Sequence, residues 1–269
     1  MTASSASPIG VFDSGVGGLS VLREIRRELP HESLLYVADS GHAPYGDRPG
    51  EFIQARATAV TGALIGLGAK AIVVACNTAT GAAVETLRQT FSLPIVAIEP
   101  AVKPAAAATR SGVVGVMATS VTLASTNLLR LVGQYPAPGG TRMQACPGLV
   151  EQVERGDLDS PATRALVEGY VRPIVSAGAD TIVLGCTHYA FLEPVIREVA
   201  GPGVTVIDPA PAVARELRRR LSLAGVLASA DAVSSERYWT TGDVAQATRV
   251  VSQLLGYPVV VESLKEGRV

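Results

Sequence analysis

Two cysteines, Cys76 and Cys186, stand 110 positions apart, each closing a near copy of the same apolar run. The first reads Gly68-Ala69-Lys70-Ala71-Ile72-Val73-Val74-Ala75-Cys76-Asn77-Thr78 and the second Gly178-Ala179-Asp180-Thr181-Ile182-Val183-Leu184-Gly185-Cys186-Thr187-His188. A thiolate can remove a proton from one face of a carbon, and a thiol on the other face can return one. Two matched thiols therefore have the means to invert a stereocentre with no cofactor. The competing reading of any free cysteine is a small buried hydrophobe, and Cys146, in Ala145-Cys146-Pro147-Gly148, fits it well. The symmetric placement of Cys76 and Cys186 argues against it. Zinc is poorly supported, because two Cys and one nearby His lack the CxxC spacing of structural sites; no metal is expected. A redox pair would carry a resolving Cys close by.

Polar groups flank both thiols. Asn77-Thr78 and Thr187-His188 follow them directly and offer an amide, hydroxyls and an imidazole at helix starts. That set suits a carboxylate and an ammonium better than a phosphate, and a His two positions past a thiol is a reasonable thiol modulator. His31 and His42 have no such neighbour and read as structural. Asp13-Ser14-Gly15-Val16-Gly17-Gly18 runs from a strand into a helix, where glycines admit close backbone approach and a helix N-terminus favours an anion. Lys is absent where a P-loop needs it, and Ser20 stands where the dinucleotide fingerprint wants a third Gly. A tight turn capped by Asp13 is an equally good reading of the turn alone. Asp13 ending a strand in the same domain as Cys76 lifts the functional one. Ala43-Pro44-Tyr45-Gly46 follows a strand end and has backbone donors to give; spacing alone makes it an ordinary proline turn.

The elements that must carry these residues alternate along the chain. Strand patterns cover Ile9–Phe12, Leu34–Ala38, Ala71–Ala75, Ile95–Ile98, Val113–Val116, Met143–Ala145, Thr181–Leu184 and Thr205–Ile207. Helix patterns cover Gly17–Leu29, Pro49–Leu67, Ala79–Thr90, an Ala-rich stretch after Pro100, Ser120–Val132, Pro161–Ser176 and Glu193–Val199. The two thiol-bearing runs are apolar without alternation, as buried parallel strands are, and the alternation of strands with helices makes the fold class α/β with doubly wound parallel sheets. Ligands in such sheets lie beyond the carboxyl ends of the strands, which puts both thiols at a cleft.

The repeat extends further. Gly10-Val11-Phe12-Asp13-Ser14 pairs with Gly115-Val116-Met117-Ala118-Thr119, and Val96-Ala97-Ile98-Glu99-Pro100-Ala101 with Thr205-Val206-Ile207-Asp208-Pro209-Ala210, at offsets of 105 and 109. Three repeats in register imply two related α/β domains, residues 100–210 forming the second. Residues 211–269 are too few for a third domain and are expected to return to complete the first, which is then 1–99 plus 211–269.

Composition agrees. The 269 residues are 48% hydrophobic and only 4% aromatic, which predicts a core of Val, Ile, Leu and Ala. A formal net charge of −1 gives no electrostatic footprint for nucleic acid or an anionic membrane. A small molecule is the natural partner. No apolar run is long enough to span a bilayer. Three cysteines form no disulfide framework, which points to a reducing, cytoplasmic setting. Met1–Ser7 are small and polar, lack the marks of a signal peptide, and read as a frayed tail.

Together Gly10-Val11-Phe12-Asp13-Ser14-Gly15-Val16-Gly17-Gly18-Leu19, Pro44-Tyr45-Gly46, Ala75-Cys76-Asn77-Thr78-Ala79, Ala145-Cys146-Pro147, Val153-Glu154-Arg155-Gly156 and Leu184-Gly185-Cys186-Thr187-His188-Tyr189 resemble glutamate racemase. The likeness runs from about Pro8 to Thr241-Gly242-Asp243, with Ala190 where relatives often carry Pro. It implies a cofactor-independent enzyme interconverting L- and D-glutamate for peptidoglycan synthesis, cytoplasmic and homodimeric, with the site between two pseudo-symmetric domains. By the same likeness Cys76 and Cys186 are the acid/bases, serving D- and L-glutamate respectively. Asp13 and His188 assist them, and Glu154 is a further polar group near the second thiol. Asp13, Ser14, Tyr45, Gly46, Asn77, Thr78, Thr187 and His188 map to substrate contacts. Aspartate and hydantoin racemases are the nearest rivals; a two-lobed amino-acid binding module is the rival from another class, but it has no need of twin thiols.

Overall fold

The computed structural model describes residues 4–264. Among the described residues ten strands form two parallel sheets. The first takes the order β10-β9-β2-β1-β3-β4, from β1 (Ile9–Asp13), β2 (Leu34–Ala38), β3 (Ala71–Val74), β4 (Ile95–Ala97), β9 (Glu236–Thr240) and β10 (Val261–Ser263). The second takes the order β6-β5-β7-β8, from β5 (Val114–Ala118), β6 (Thr141–Ala145), β7 (Thr181–Leu184) and β8 (Thr205–Ile207). The run β4-β3-β1-β2 repeats as β8-β7-β5-β6, and the chain after residue 224 adds two strands beyond β2. Register repeats too. The pair Phe12–Val74 between β1 and β3 becomes Met117–Leu184 between β5 and β7, at the sequence offsets of 105 and 110. The third repeat slips by two: Ile72 pairs with Ile95, but Ile182 pairs with Val206, and nothing in the structure explains the slip.

Eleven helices connect and cover the sheets among the described residues. In the first half these are α1 (Leu19–Glu28), α2 (Gly50–Gly66), α3 (Asn77–Thr90), α4 (Val102–Ala108), α5 (Ser120–Ala124) and α6 (Thr126–Gln134). The rest are α7 (Leu149–Arg155), α8 (Pro161–Ser176), α9 (Glu193–Ala200), α10 (Ala210–Leu223) and α11 (Val244–Leu255). None is long and apolar enough to cross a membrane. Strands β1, β2, β3, β5 and β7 are buried along their whole length, which is why their sequences are apolar without alternation. Helix α1 packs on α10, α11 and the 3-10 turn Thr187–Leu192 that follows the second thiol. One apolar cluster therefore runs from Val11 and Tyr36 of the first sheet to Ile182 and Tyr189 of the second.

Two expectations need correction. The single helix over Ser120–Val132 is broken at Ser125, whose extended backbone lets its Oγ accept from Leu128 N at 3.3 Å and cap α6. Serine side chains compete with helical backbone in this way. The frayed tail is also corrected as far as it is described, Met1–Ala3 lying outside the described residues. From Ser4 onward the chain is turned and tied down: Ser7 N donates to the Ser4 carbonyl at 3.0 Å, and Ser5 O accepts from Lys70 Nζ at 2.7 Å.

The tie exists because Lys70 is buried. Its ammonium lies 2.6 Å from Glu32 Oε2, an ion pair without hydrogen-bond alignment, and both side chains are almost wholly out of water. Glu32 Oε1 also accepts from Ala228 N at 2.8 Å. Removing one member of a buried pair leaves an uncompensated charge, which costs about 3–5 kcal/mol. Lys70→Ala is expected to lower the urea unfolding free energy by that amount. A change under about 1 kcal/mol, the size of an exposed pair, would show that Glu32 does not depend on Lys70.

Candidate active site between the two sheets

Each thiol follows the end of a central strand and opens a helical turn. Cys76, after β3, is the N-cap of α3, its Sγ accepting from Ala79 N at 3.4 Å. Cys186, after β7, opens the 3-10 turn Thr187–Leu192 and makes no such cap bond. Both sheets bring their carboxyl ends to one small cavity, lined by both thiols together with Asp13, Ser14, Tyr45, Gly46, Asn77, Thr78, Thr187 and His188. Pro44, Thr119 and Val150 line it as well.

The two thiols have different proton partners. On the first side Asp13 is fully buried; its Oδ1 accepts from Ser14 N at 2.7 Å and its Oδ2 from Thr187 Oγ1 at 3.1 Å. The Cys76 thiol donates to Ser14 Oγ at 3.7 Å. Burial raises the Asp13 carboxyl above its ordinary range, partly opposed by the His188 charge and the neighbouring Cys76 thiol. Burial and then the Asp13 charge push the Cys76 thiol well up, against the Ala79 amide that favours the thiolate. Cys76 therefore holds its proton beside a carboxylate able to take it.

On the second side His188 Nδ1 lies 3.7 Å from Cys186 Sγ and its Nε2 2.7 Å from Glu154 Oε1. Burial disfavours the imidazolium, but Cys186 and Glu154 together outweigh it and hold His188 well above the usual histidine range. Glu154 sits on α7, a seven-residue helix between Gly148 and Gly156, both left-handed. Its Oε1 also accepts from Val16 N at 2.7 Å. The glycine turn after β1, for which an anion site and a tight turn capped by Asp13 are equal expectations, meets a carboxyl group of its own chain. Glu154 does not line the small cavity. It reaches the site through His188 and lines a larger hollow beside it.

The remaining groups fall into place around the cavity. Thr78 Oγ1 is within 3.2 Å of Thr119 Oγ1 and 3.1 Å of Thr122 Oγ1. Asn77 is buried with both amide atoms lacking a partner among the described residues, which costs about 1–3 kcal/mol unless a ligand supplies one. Tyr45 turns its hydroxyl away to Asp39, which also accepts from Arg56 Nη2 at 2.8 Å and Thr241 Oγ1 at 2.7 Å. Only the backbone of the Tyr45-Gly46 turn is left for a ligand. Sequence reasoning passed over Asp39, Arg56, Thr119 and Thr122, and it read His42, 3.0 Å from Asp39 Oδ1, as structural. Cys146 is buried, as expected, and burial pushes its thiol up.

The profile of the Asp/Glu/hydantoin racemase family matches residues 9–217. The chain belongs to this family of racemases. Among curated members, the glutamate racemase of Methylococcus capsulatus is 56% identical over 247 residues, covering 92% of this chain and 91% of that protein. Among solved members, glutamate racemase isoform RacE1 from Bacillus anthracis superposes with a TM-score of 0.87 at 34% identity, covering 97% of this chain and 98% of that one. Escherichia coli glutamate racemase, solved with L-glutamate and the activator UDP-MurNAc-ala, gives 0.83 at 30% identity, covering 96% and 98%. The racemase fold, with its two parallel sheets, is thus shared over nearly the whole chain.

Proposed function

We propose that this racemase interconverts L- and D-glutamate by passing protons between Cys76 and Cys186, with no added cofactor, and so supplies D-glutamate for peptidoglycan synthesis. The observation that carries the reading is the pair of thiols at equivalent strand ends on one cavity, each with its own proton partner. Glutamate, rather than aspartate or a hydantoin, is favoured by relatives at 56% and 54% identity, both glutamate racemases. Cys186 takes the α-proton of L-glutamate and Cys76 returns one from the opposite face; D-glutamate runs the same path backwards. Asp13 serves Cys76, and His188, oriented by Glu154, serves Cys186. Asn77, Thr78, Thr187, Ser14 and the Tyr45-Gly46 backbone hold the substrate, their donors spreading the charge of the carbanion onto the carboxylate.

The difficulty in such a reaction is acidity. A free thiol titrates near ~8.5, far below the α-carbon acid, so donors in a closed, dry site must make up the difference. We place the domain boundaries so that residues 1–99 and 211–269 form one lobe and 100–210 the other, and we take the enzyme to be a cytoplasmic homodimer. The test is circular dichroism of protein dialysed against chelator, with L-glutamate as the only addition. The rotation is expected to decay to zero, and proton NMR in deuterium oxide to show deuterium at the α-carbon. Activity that appears only on adding pyridoxal phosphate or zinc would overturn the two-thiol path.

A further inference from the structure

The glycine turn after β1 presents bare Cα atoms to side chains that come from beyond the second sheet. A Cβ at Gly17 would stand 2.2 Å from His188 Nδ1, 2.6 Å from Cε1 and 2.7 Å from Cγ. One at Gly15 would stand 1.8 Å from Glu154 Oε1. Neither glycine is in the left-handed region, so alanine would suit the backbone at both places. Space, not conformational freedom, is what glycine supplies here.

The two clashes differ in how they could be relieved. Glu154 has rotatable bonds through which its end can shift, at the cost of its contacts with Val16 N and His188 Nε2. The His188 ring is buried and engaged at both nitrogens, by Cys186 at 3.7 Å and Glu154 at 2.7 Å. It cannot move by an ångström and keep both. The same turn holds Glu154 through Val16 N, and Ser20 Oγ, one turn on, lies 2.9 Å from Gly17 O and 3.2 Å from Thr187 O. Residues 15–20 thus form a mould around the segment that carries the second thiol's helper.

We propose that Gly17, with Gly15 in support, is a positioning residue for the Cys186 half of the reaction: it seats His188 where the imidazole exchanges a proton with Cys186. The inference rests on the two-thiol reading. Only a proton moves, between Cys186 Sγ and His188 Nδ1, and no other bond is made or broken. Misplacing a catalytic group by about 1 Å costs on the order of 100-fold. Gly17→Ala is expected to lower kcat/KM for both enantiomers by about 10- to 100-fold, and Gly15→Ala by less. Gly62→Ala, in α2 with open space around it, is expected to match the parent.

The discriminating readout is the primary isotope effect on kcat/KM with α-deuterated substrates. If the Cys186 step alone is slowed, the effect rises for L-glutamate, whose α-proton Cys186 removes, and falls for D-glutamate, whose α-proton has left before the slow step. A uniform rate loss with unchanged isotope effects overturns the proposal, since a general loosening of the fold slows both steps. Should the single variant fail to fold, the His188→Ala background removes the three atoms nearest the added Cβ. Gly17→Ala is expected to fold there and to change the residual rate by less than about twofold, as coupled neighbours do; failure to fold, or a further large loss, overturns the assignment to His188. If the parent itself does not racemise glutamate, the two-thiol reading has failed instead.

Discussion

Cys76→Ser and Cys186→Ser are each expected to lower racemisation by at least about 10³-fold, the scale lost when an acting acid/base is removed, while the fold is kept. Serine is nearly isosteric, and at position 76 its hydroxyl can take over the cap of α3 by accepting from Ala79 N, which Cys76 Sγ now does at 3.4 Å. Its proton, however, is bound far too tightly to be removed or returned in the reaction. Both thiols are needed because one proton leaves one face and another arrives at the opposite face. The measurement is turnover of each enantiomer by circular dichroism, with far-ultraviolet spectra and melting curves to confirm the fold. A single-base enzyme would tolerate loss of one thiol. Near-parent activity in either variant would make that cysteine the buried hydrophobe that its type most often is.

The strands were legible in sequence because a strand buried on both faces must be apolar throughout. Leu34–Ala38 and Thr181–Leu184, both buried along their whole length, occupy the residues expected of them. Helix ends were less legible where a side chain competes with the backbone, as Ser125 does. Helix α7 escaped altogether: seven residues between Pro147-Gly148 and Gly156 are too few to show a period. It carries Glu154, so that residue was reachable only by resemblance.

The site divides along the same line. Cys76 and Cys186 announced themselves because the repeat doubled the signal. Asp39 did not, since a lone acidic residue after a strand resembles any other until Arg56, Tyr45, His42 and Thr241 are seen to converge on it. Nor could spacing show that the glycine turn receives His188 and Glu154, which are 171 and 139 positions away from Gly17 and Gly15. Glycine in a strand-to-helix turn reads as an anion cradle or a tight bend, and only the fold brings the second sheet's side chains against it.

Asp13→Asn is expected to lower kcat by about 10²–10⁴-fold, the range for a lost general acid/base, with little change in KM. The substitution keeps the local geometry: the amide oxygen can still accept from Ser14 N, and the Thr187 hydroxyl can rotate to accept from the new NH₂. What is lost is the acceptor for the Cys76 proton. That thiol is held well above its ordinary range by burial and by the Asp13 charge. Without the carboxylate, the thiolate forms only by losing its proton to solvent, so kcat/KM for D-glutamate should keep rising with pH where the parent has levelled off. The isotope effects should also mirror those of Gly17→Ala. Slowing the Cys76 step raises the effect for D-glutamate and lowers it for L-glutamate. If only KM rose, with kcat and both isotope effects unchanged, Asp13 would be a group that binds substrate and moves no proton.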